Sequence, residues 1–429
     1  MVTINGDGQD INASGQEATV DSLSLSDIIK SAISQYPTVK SAEEALKNAD
    51  ARIGLAKTGL YPTIDMAAGY SNLGPVITLD IPSMGTFQLY PNNNYSAAVN
   101  YHQVIFDFGR TRQNMKIETE NKVLGEQALG QTKQKLALAA VNNFYTLAYL
   151  QQAIRIKNEQ LETLQSHLKY VETMRETGSA TDYQILSTQV KISSVVSQKA
   201  DIAAAVTAQQ SFLNSLLGKD ADNKPVVREE INVDVPLTDR DSMFSFAYKN
   251  RDEMLIAEER AAITDMRYEL IRTMNKPVVD LMATGGVKNG YVPDLNRLKA
   301  NYAIGIGVSV PLFDGMRTKY NLLQAASAKN SVLFETENTR RNITSEVKDA
   351  EAYMKTALQK VSQFELQEAQ ALKAYSLAET SFKAGTITNL ELLDTYTSLS
   401  ESKLMLLKAR IDYAASIYRL RAVLGERLY

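Results

Sequence analysis

The sequence predicts a mainly α-helical chain with a membrane-type β-barrel portion, built from one helix–hairpin–helix–helix unit written twice. Three observations predict it. First, Val104-Ile105-Phe106-Asp107-Phe108-Gly109-Arg110 returns as Pro311-Leu312-Phe313-Asp314-Gly315-Met316-Arg317, an offset of 207 positions. Gly178-Ser179-Ala180-Thr181 returns as Gly385-Thr386-Ile387-Thr388 at that same offset, and Leu217-Gly218 as Leu424-Gly425. Second, each copy contains a run of helix formers far longer than the ordinary globular mean. Third, each copy contains two stretches of period-two alternation, the signature of half-apolar strands.

The elements follow in order. Residues 1–23 are polar and Gly-rich and read as a flexible tail. They lack the charged-then-apolar pattern of a secretory signal, so an exported chain would have had its signal removed. The first repeat spans 24–218. Ser24-Leu25-Ser26-Asp27 resembles a capping box with Asp in place of Glu and opens a helix to about Leu60, which Pro62 ends. A hairpin follows at about 62–108. Ile64, Met66, Ala68 and Tyr70 alternate with Thr63, Asp65, Ala67 and Gly69; Tyr95, Ala97, Val99 and Tyr101 alternate with Ser96, Ala98, Asn100 and His102. The loop between them carries Pro75, Pro82, Pro91 and three Asn residues, an exposed, turn-rich composition. From Arg110 to Glu176 there is no proline, which predicts roughly 100 Å of helix. Gly178 breaks it, and a second helix runs from Asp182 to Leu217.

Residues 219–240 form a polar connector with Pro225, Pro236 and a strand-like run from Ile231 to Val235. The second repeat, 241–425, has a helix over about Ser242 to Met274, a hairpin at about 277–313, a long helix from Arg317 to Ala384 and a last helix over about Leu390 to Leu424. Pro62 matches Pro277 at an offset of 215, so the first copy carries extra residues within its hairpin. Residues 426–429 are a short C-terminal tail.

Composition narrows the function classes. The net charge is −3, which does not suggest a nucleic-acid partner. There is no cysteine, so disulfides, thiolate metal sites and cysteine nucleophiles are excluded, and a thioether lipid anchor is not expected on the sequence as it stands. The two histidines, His102 and His167, are too few for a histidine-rich metal site, and no cofactor is expected. No apolar run approaches the roughly 20 residues a membrane helix needs. No nucleophile–His–acid set, phosphate loop or metal-ligand cluster is present, so an enzyme is the weakest reading.

Four strands of about 10 residues each suit a tilted bilayer crossing, apolar-out and polar-in. Asn100, His102, Asn301 and Ser309 fall on the polar face and are candidates for a barrel lumen. The competing reading is a soluble sheet with one wet face on a coiled-coil scaffold. Against it, the helices meet the hairpins at one end and are too long to fold back over them. Open strand edges are not tolerated in lipid, and one chain's strands are too few to close. Two chains would give about 8 strands and a filled lumen; three would give about 12 and an open pore, which the polar lining suits better.

The turn between long and shorter helix concentrates the remaining signals. Gly178 and Gly385 suit the left-handed residue that ends a helix. Thr181 with Gln184, and Thr388 with Glu391, read as capping boxes. Capping does not explain Asp394, which lies three residues beyond Glu391 on the same helix face. Repeated around an axis, these two carboxylates would ring the mouth of a tube, an arrangement that favours cations and can gate. Asp394 as an ordinary solvated surface residue is the competing reading.

Over nearly its whole length, from about Leu25 to Gly425, the chain resembles the TolC-like outer-membrane efflux proteins. Leu60-Tyr61-Pro62, the two Phe-Asp segments and the turn from Gly385 to Leu392-Leu393-Asp394 carry the resemblance. It implies a homotrimer: a trimeric β-barrel of roughly 12 strands in the outer-membrane lipid, continuous with a long α-helical barrel that crosses the periplasm. It further implies docking to a periplasmic adaptor protein and to an inner-membrane pump of the RND or ABC type. The expected function is a passive, gated exit duct for drugs or other small molecules, with type I protein secretion as the alternative. The family's acidic aperture maps onto Glu391 and Asp394, and its helix-tip contacts and adaptor docking onto Gly178, Thr181, Asp182, Gln184, Phe382, Gly385 and Thr388. Phe382 and Ile387 stand where the family has Tyr and Arg. That removes a hydrogen bond and a salt bridge, so the closed state is expected to be held differently.

Overall fold

The computed structural model describes residues 22–228 and 240–429, and the run Ile231–Val235 therefore lies outside the described residues. The first helix expected of each repeat is in fact two. α1 (Leu25–Gln35) and α2 (Pro37–Thr58) are separated by Tyr36, which is extended at φ −67°, ψ 129°. The cause is Pro37, which pushes its predecessor out of the helical region and then starts α2 at its favoured first position. The second repeat breaks at the same place with no proline. α5 (Arg240–Asn250) and α6 (Asp252–Arg272) are split by Arg251 at φ −73°, ψ 129°. Here the last helix explains the break. Gly425, at φ +86°, lies so close that a Cβ on it would stand 2.7 Å from the carbonyl carbon of Asn250. Gly425→Ala should therefore lower the unfolding midpoint through both backbone strain and this clash, by about 2 kcal/mol or more; an unchanged denaturation curve would contradict this packing.

Four long helices make nearly half of the chain. α3 (Arg110–Glu176) and α4 (Asp182–Leu217) form one antiparallel pair, and α7 (Arg317–Lys383) and α8 (Asn389–Leu424) the other. The short first helix of each repeat packs where a pair is fattest. Ile28 and Ala32 of α1 meet Phe144 and Leu147 of α3 and Leu213 and Leu217 of α4. Met243 and Ala247 of α5 meet Val347 of α7 and Leu420 and Leu424 of α8. Small residues such as Ala137 and Ala140, fully buried, let the backbones approach.

The strands are β1 (Thr63–Asn72), β2 (Thr78–Ile81), β3 (Gly85–Gln88), β4 (Asn93–Phe106), β5 (Val278–Lys288) and β6 (Lys299–Ser309). The two repeats join their hairpins into one antiparallel sheet of order β1-β4-β5-β6, while β2 and β3 pair apart. Among the described residues, nothing pairs with the outer edges of β1 and β6.

The repeated Phe-Asp segment turns strand into helix. Phe108 and Gly109 are left-handed, and so are Gly315 and Met316. Asp107 accepts from the Thr111 backbone N at 2.7 Å, and Asp314 from that of Thr318 at 2.8 Å, satisfying donors at the helix start. The Thr318 hydroxyl and backbone hold the Asp314 carboxyl below its usual pKa. Arg110 donates to the carbonyls of Thr273 and Met274 at the end of α6, each at 3.1 Å, tying one repeat to the other. The two termini of the described chain are also held. Leu23, expected in the tail, bridges in parallel to Val227. Arg427, at the C-terminal end, donates at 2.7 Å to Asp252, whose side chain is almost wholly buried.

Candidate functional site: sheet faces, open edges and helix tips

Strand register sorts the side chains into two faces. Ile64 lies opposite Tyr101, Met66 opposite Val99 and Tyr70 opposite Tyr95; on the other side Leu281 lies opposite Ile306 and Ala283 opposite Ile304. All project the same way as Tyr302, and most are bare in the single chain: Tyr302 is 84% exposed, Ile304 75% and Met66 74%, while Tyr101, Leu281 and Ala283 are half-buried. So much apolar surface demands a nonaqueous cover. Among the described residues no helix is long and apolar enough to cross a membrane. The strands are the elements that suit one.

The opposite face is polar across three strands. Asn100 of β4 donates to Asp65 of β1 at 2.9 Å and accepts from Thr284 of β5 at 2.9 Å. His102 Nε2 lies 3.4 Å from Asp280 Oδ1. Asn301, opposite Gly286, and Ser309, opposite Val278, share this face. Met282 and Val278 interrupt its polarity.

The helices repeat the theme of unpaired edges. Along the long helices α3 packs on α4 and α8, and α8 packs also on α7 and, at the tips, on α4; among the described residues the flanking helices are α4 and α7, which do not pack on each other. Their outer apolar residues are exposed: Tyr183, Leu186 and Val190 on α4, and Leu366, Leu372 and Leu377 on α7. Further up, Leu55 of α2 and Phe334 of α7, 74% and 76% exposed, stand on the opposite margins.

At the tips, both glycines are left-handed, Gly178 at φ +77° and Gly385 at φ +74°. Both capping boxes are formed. Thr181 N donates to Gln184 Oε1 at 2.8 Å, and Thr388 N to Glu391 Oε2 at 2.7 Å. Backbone and hydroxyl bonds from Thr388 hold the Glu391 carboxyl below its usual pKa. Asp394 is not solitary: Lys191 of α4 reaches it at 3.2 Å across the gap between the pairs. Asp182 is held within its own turn by Arg175 at 2.7 Å.

The two tips are joined by Asn389, which is only 3% exposed. Its Nδ2 donates to the Gln184 carbonyl at 3.2 Å, to Ser187 Oγ at 3.1 Å and to Thr188 Oγ1 at 3.3 Å. Its Oδ1 stands 2.6 Å from His167 Nε2. Sequence reasoning missed this residue and its contact with His167. A signal existed: at the offset of 207, Asn389 matches Asp182 and Phe382 matches Arg175. The first copy closes its turn with an ion pair. The second replaces that pair by an amide aimed at the other copy and a phenyl ring packed 5.3 Å from the His167 ring and 6.3 Å from Tyr170. Ile387 joins the apolar cluster of Val171, Ala180 and Leu392.

The model of the outer membrane efflux protein family matches residues 28–219 and 245–426. The chain belongs to that family. This outer membrane efflux protein is 22% identical over 402 residues to the multidrug resistance outer membrane protein MdtQ of Escherichia coli O157:H7, covering 90% of this chain and 81% of MdtQ. It is 24% identical over 349 residues to the alkaline protease secretion protein AprF of Pseudomonas aeruginosa, covering 78% of this chain and 70% of AprF. Its fold matches the crystal structure of CusC with a TM-score of 0.82 at 19% identity, covering 94% of this chain and 92% of that one. The protein is an outer-membrane exit duct.

Proposed function

We propose that three copies of this efflux protein assemble about one axis into a passive, gated tube that discharges small molecules, drugs among them, through the outer membrane. One observation carries the reading: a four-stranded sheet with two unpaired edges and an exposed apolar face. Lipid accepts such a sheet only when the edges are closed, and β6 of one copy pairing with β1 of the next closes them. Three copies supply about 12 strands and an open lumen lined by Asn100, His102, Asn301 and Ser309. The exposed residues on α4, α2 and α7 then meet across the same seams. The helical part, lying beyond the sheet, extends through the periplasm. An adaptor would dock around the turns of Gly178 and Gly385, and an inner-membrane pump would supply the energy. The multidrug name of MdtQ supports small molecules as the cargo. The secretion name of AprF favours a second reading, in which the same duct passes protein.

Glu391 and Asp394 act as the selectivity ring of the tip. The test is Glu391→Gln with Asp394→Asn, recorded in planar bilayers. Gln serves as well as Glu in a capping box, as Gln184 does in the first copy, so the turn survives the change. Cation preference and block by divalent ions should both fall. Unchanged selectivity and unchanged block would reject the ring.

A further inference from the structure

The segment between β1 and β4 contains a feature that the duct does not use. β2 and β3 pair from Thr78 with Gln88 to Ile81 with Gly85, and Leu89 N adds one rung to Ile77 O at 3.1 Å. Period-two alternation puts Ile77, Leu79, Ile81, Phe87 and Leu89 on one face and Thr78, Asp80, Thr86 and Gln88 on the other, where Thr86 donates to Asp80. The apolar face is bare, with Ile77 63% and Phe87 46% exposed. Among the described residues this hairpin packs on no other helix or strand of its own chain. A lone two-stranded hairpin is marginal in water, so its apolar side needs a cover.

We propose that the β2–β3 hairpin is a strap across the seam between copies, laying its apolar face on the neighbouring copy's β5–β6 loop at Val292 and Leu298. The inference rests on the ring assembly proposed above. β1 is an open edge, and its closing partner is the neighbour's β6, so the loop that follows β1 faces the neighbour's loop that precedes β6. That loop is at the same end of the sheet, away from the helices, and it presents Val292 and Leu298 to solvent, 74% and 53% exposed. A chain's own copy of the loop is held on the β4 side, where Asn289 donates to the Asn93 carbonyl at 2.7 Å and accepts from Tyr95 N at 2.8 Å. Reach is sufficient: the five residues 73–77 can span up to about 16 Å, against roughly 5 Å between adjacent strands.

The absence of cysteine from this sequence makes the test clean. Phe87→Cys and Val292→Cys chains carrying different tags are co-expressed, and outer membranes are treated with a short bis-maleimide crosslinker. The expected product is a covalent dimer that carries both tags, formed at the expense of the monomer band. Phe87→Cys alone should give no dimer. Leu298→Cys replaces Val292→Cys if the latter fails to assemble. In a further variant, Leu79→Ser with Phe87→Ser should lower the temperature at which the assembly dissociates in detergent. Two results would overturn the strap: Phe87→Cys linking to itself, which would place the hairpins together on the axis; or no linkage and unaltered dissociation while the assembly keeps the mass of three chains. A chain that runs as a monomer in detergent overturns the ring itself and is told apart by that mass.

Discussion

Ile304→Arg should abolish assembly in the outer membrane. Ile304 lies opposite Ala283 near the middle of β5–β6 and points to the apolar face. An arginine at the bilayer midplane costs about 2–4 kcal/mol per chain, and a ring of copies suffers it in every subunit. Asn301→Arg, only three residues away but on the lumen face, should assemble nearly normally because water fills that side. The comparison is read as oligomer recovered from isolated outer membranes. If both variants assembled equally, or if Asn301→Arg were the damaging one, the assignment of faces would be inverted or wrong.

Asn389→Leu should loosen the helix tips more than any charge change there. Leucine is close to asparagine in size but takes from His167 its hydrogen-bond partner and severs the amide's links to the Gln184 carbonyl and Thr188, which keep their bond to each other. Leaving buried polar groups unsatisfied costs about 1–3 kcal/mol each. A loss of about 2 kcal/mol from the closed arrangement alone would shift a closed-to-open ratio roughly thirty-fold. Faster hydrogen exchange over residues 385–395 and longer single-channel openings are the expected readouts, with the sheet unaffected. Asn389→Asp should be intermediate, since it still accepts from His167. Exchange at the tips equal to that of the unaltered protein would show that the amide does not join the two helix pairs.

What the sequence revealed follows from which interactions are local. Period-two alternation in β1, β4, β5 and β6 and the proline-free runs of α3 and α7 are written residue by residue, and the structure has these elements in those places. The capping boxes at Thr181 and Thr388 are equally local, because the partners are three residues apart. The break at Tyr36 was legible in Pro37 and was overlooked. The break at Arg251 was not legible, since its cause is Gly425, more than a hundred residues on. The paired hairpin β2–β3 hid inside a stretch whose prolines read as plain loop. At the tips, the residues predicted from the motif are present in the turns, but three of their longer side chains are occupied locally: Gln184 by Thr181, Glu391 by Thr388 and Asp182 by Arg175. The contacts that join one helix pair to the other, Asn389 with His167 and Lys191 with Asp394, cross roughly two hundred positions. Nothing in local spacing marks them. Comparing the two copies position by position does, because Asn389 and Phe382 stand where the first copy has an ion pair.

A sealed wall in the membrane requires the bare edges β1 and β6 to find each other in neighbouring copies. The direct measurement is the mass of the detergent-purified protein together with single-channel recording of the same preparation. An assembly of three 47.4 kDa chains that conducts through a water-filled pore is the predicted result. A monomer that stays folded without detergent at high dilution, with all four strands of the sheet protected from hydrogen exchange, would contradict it.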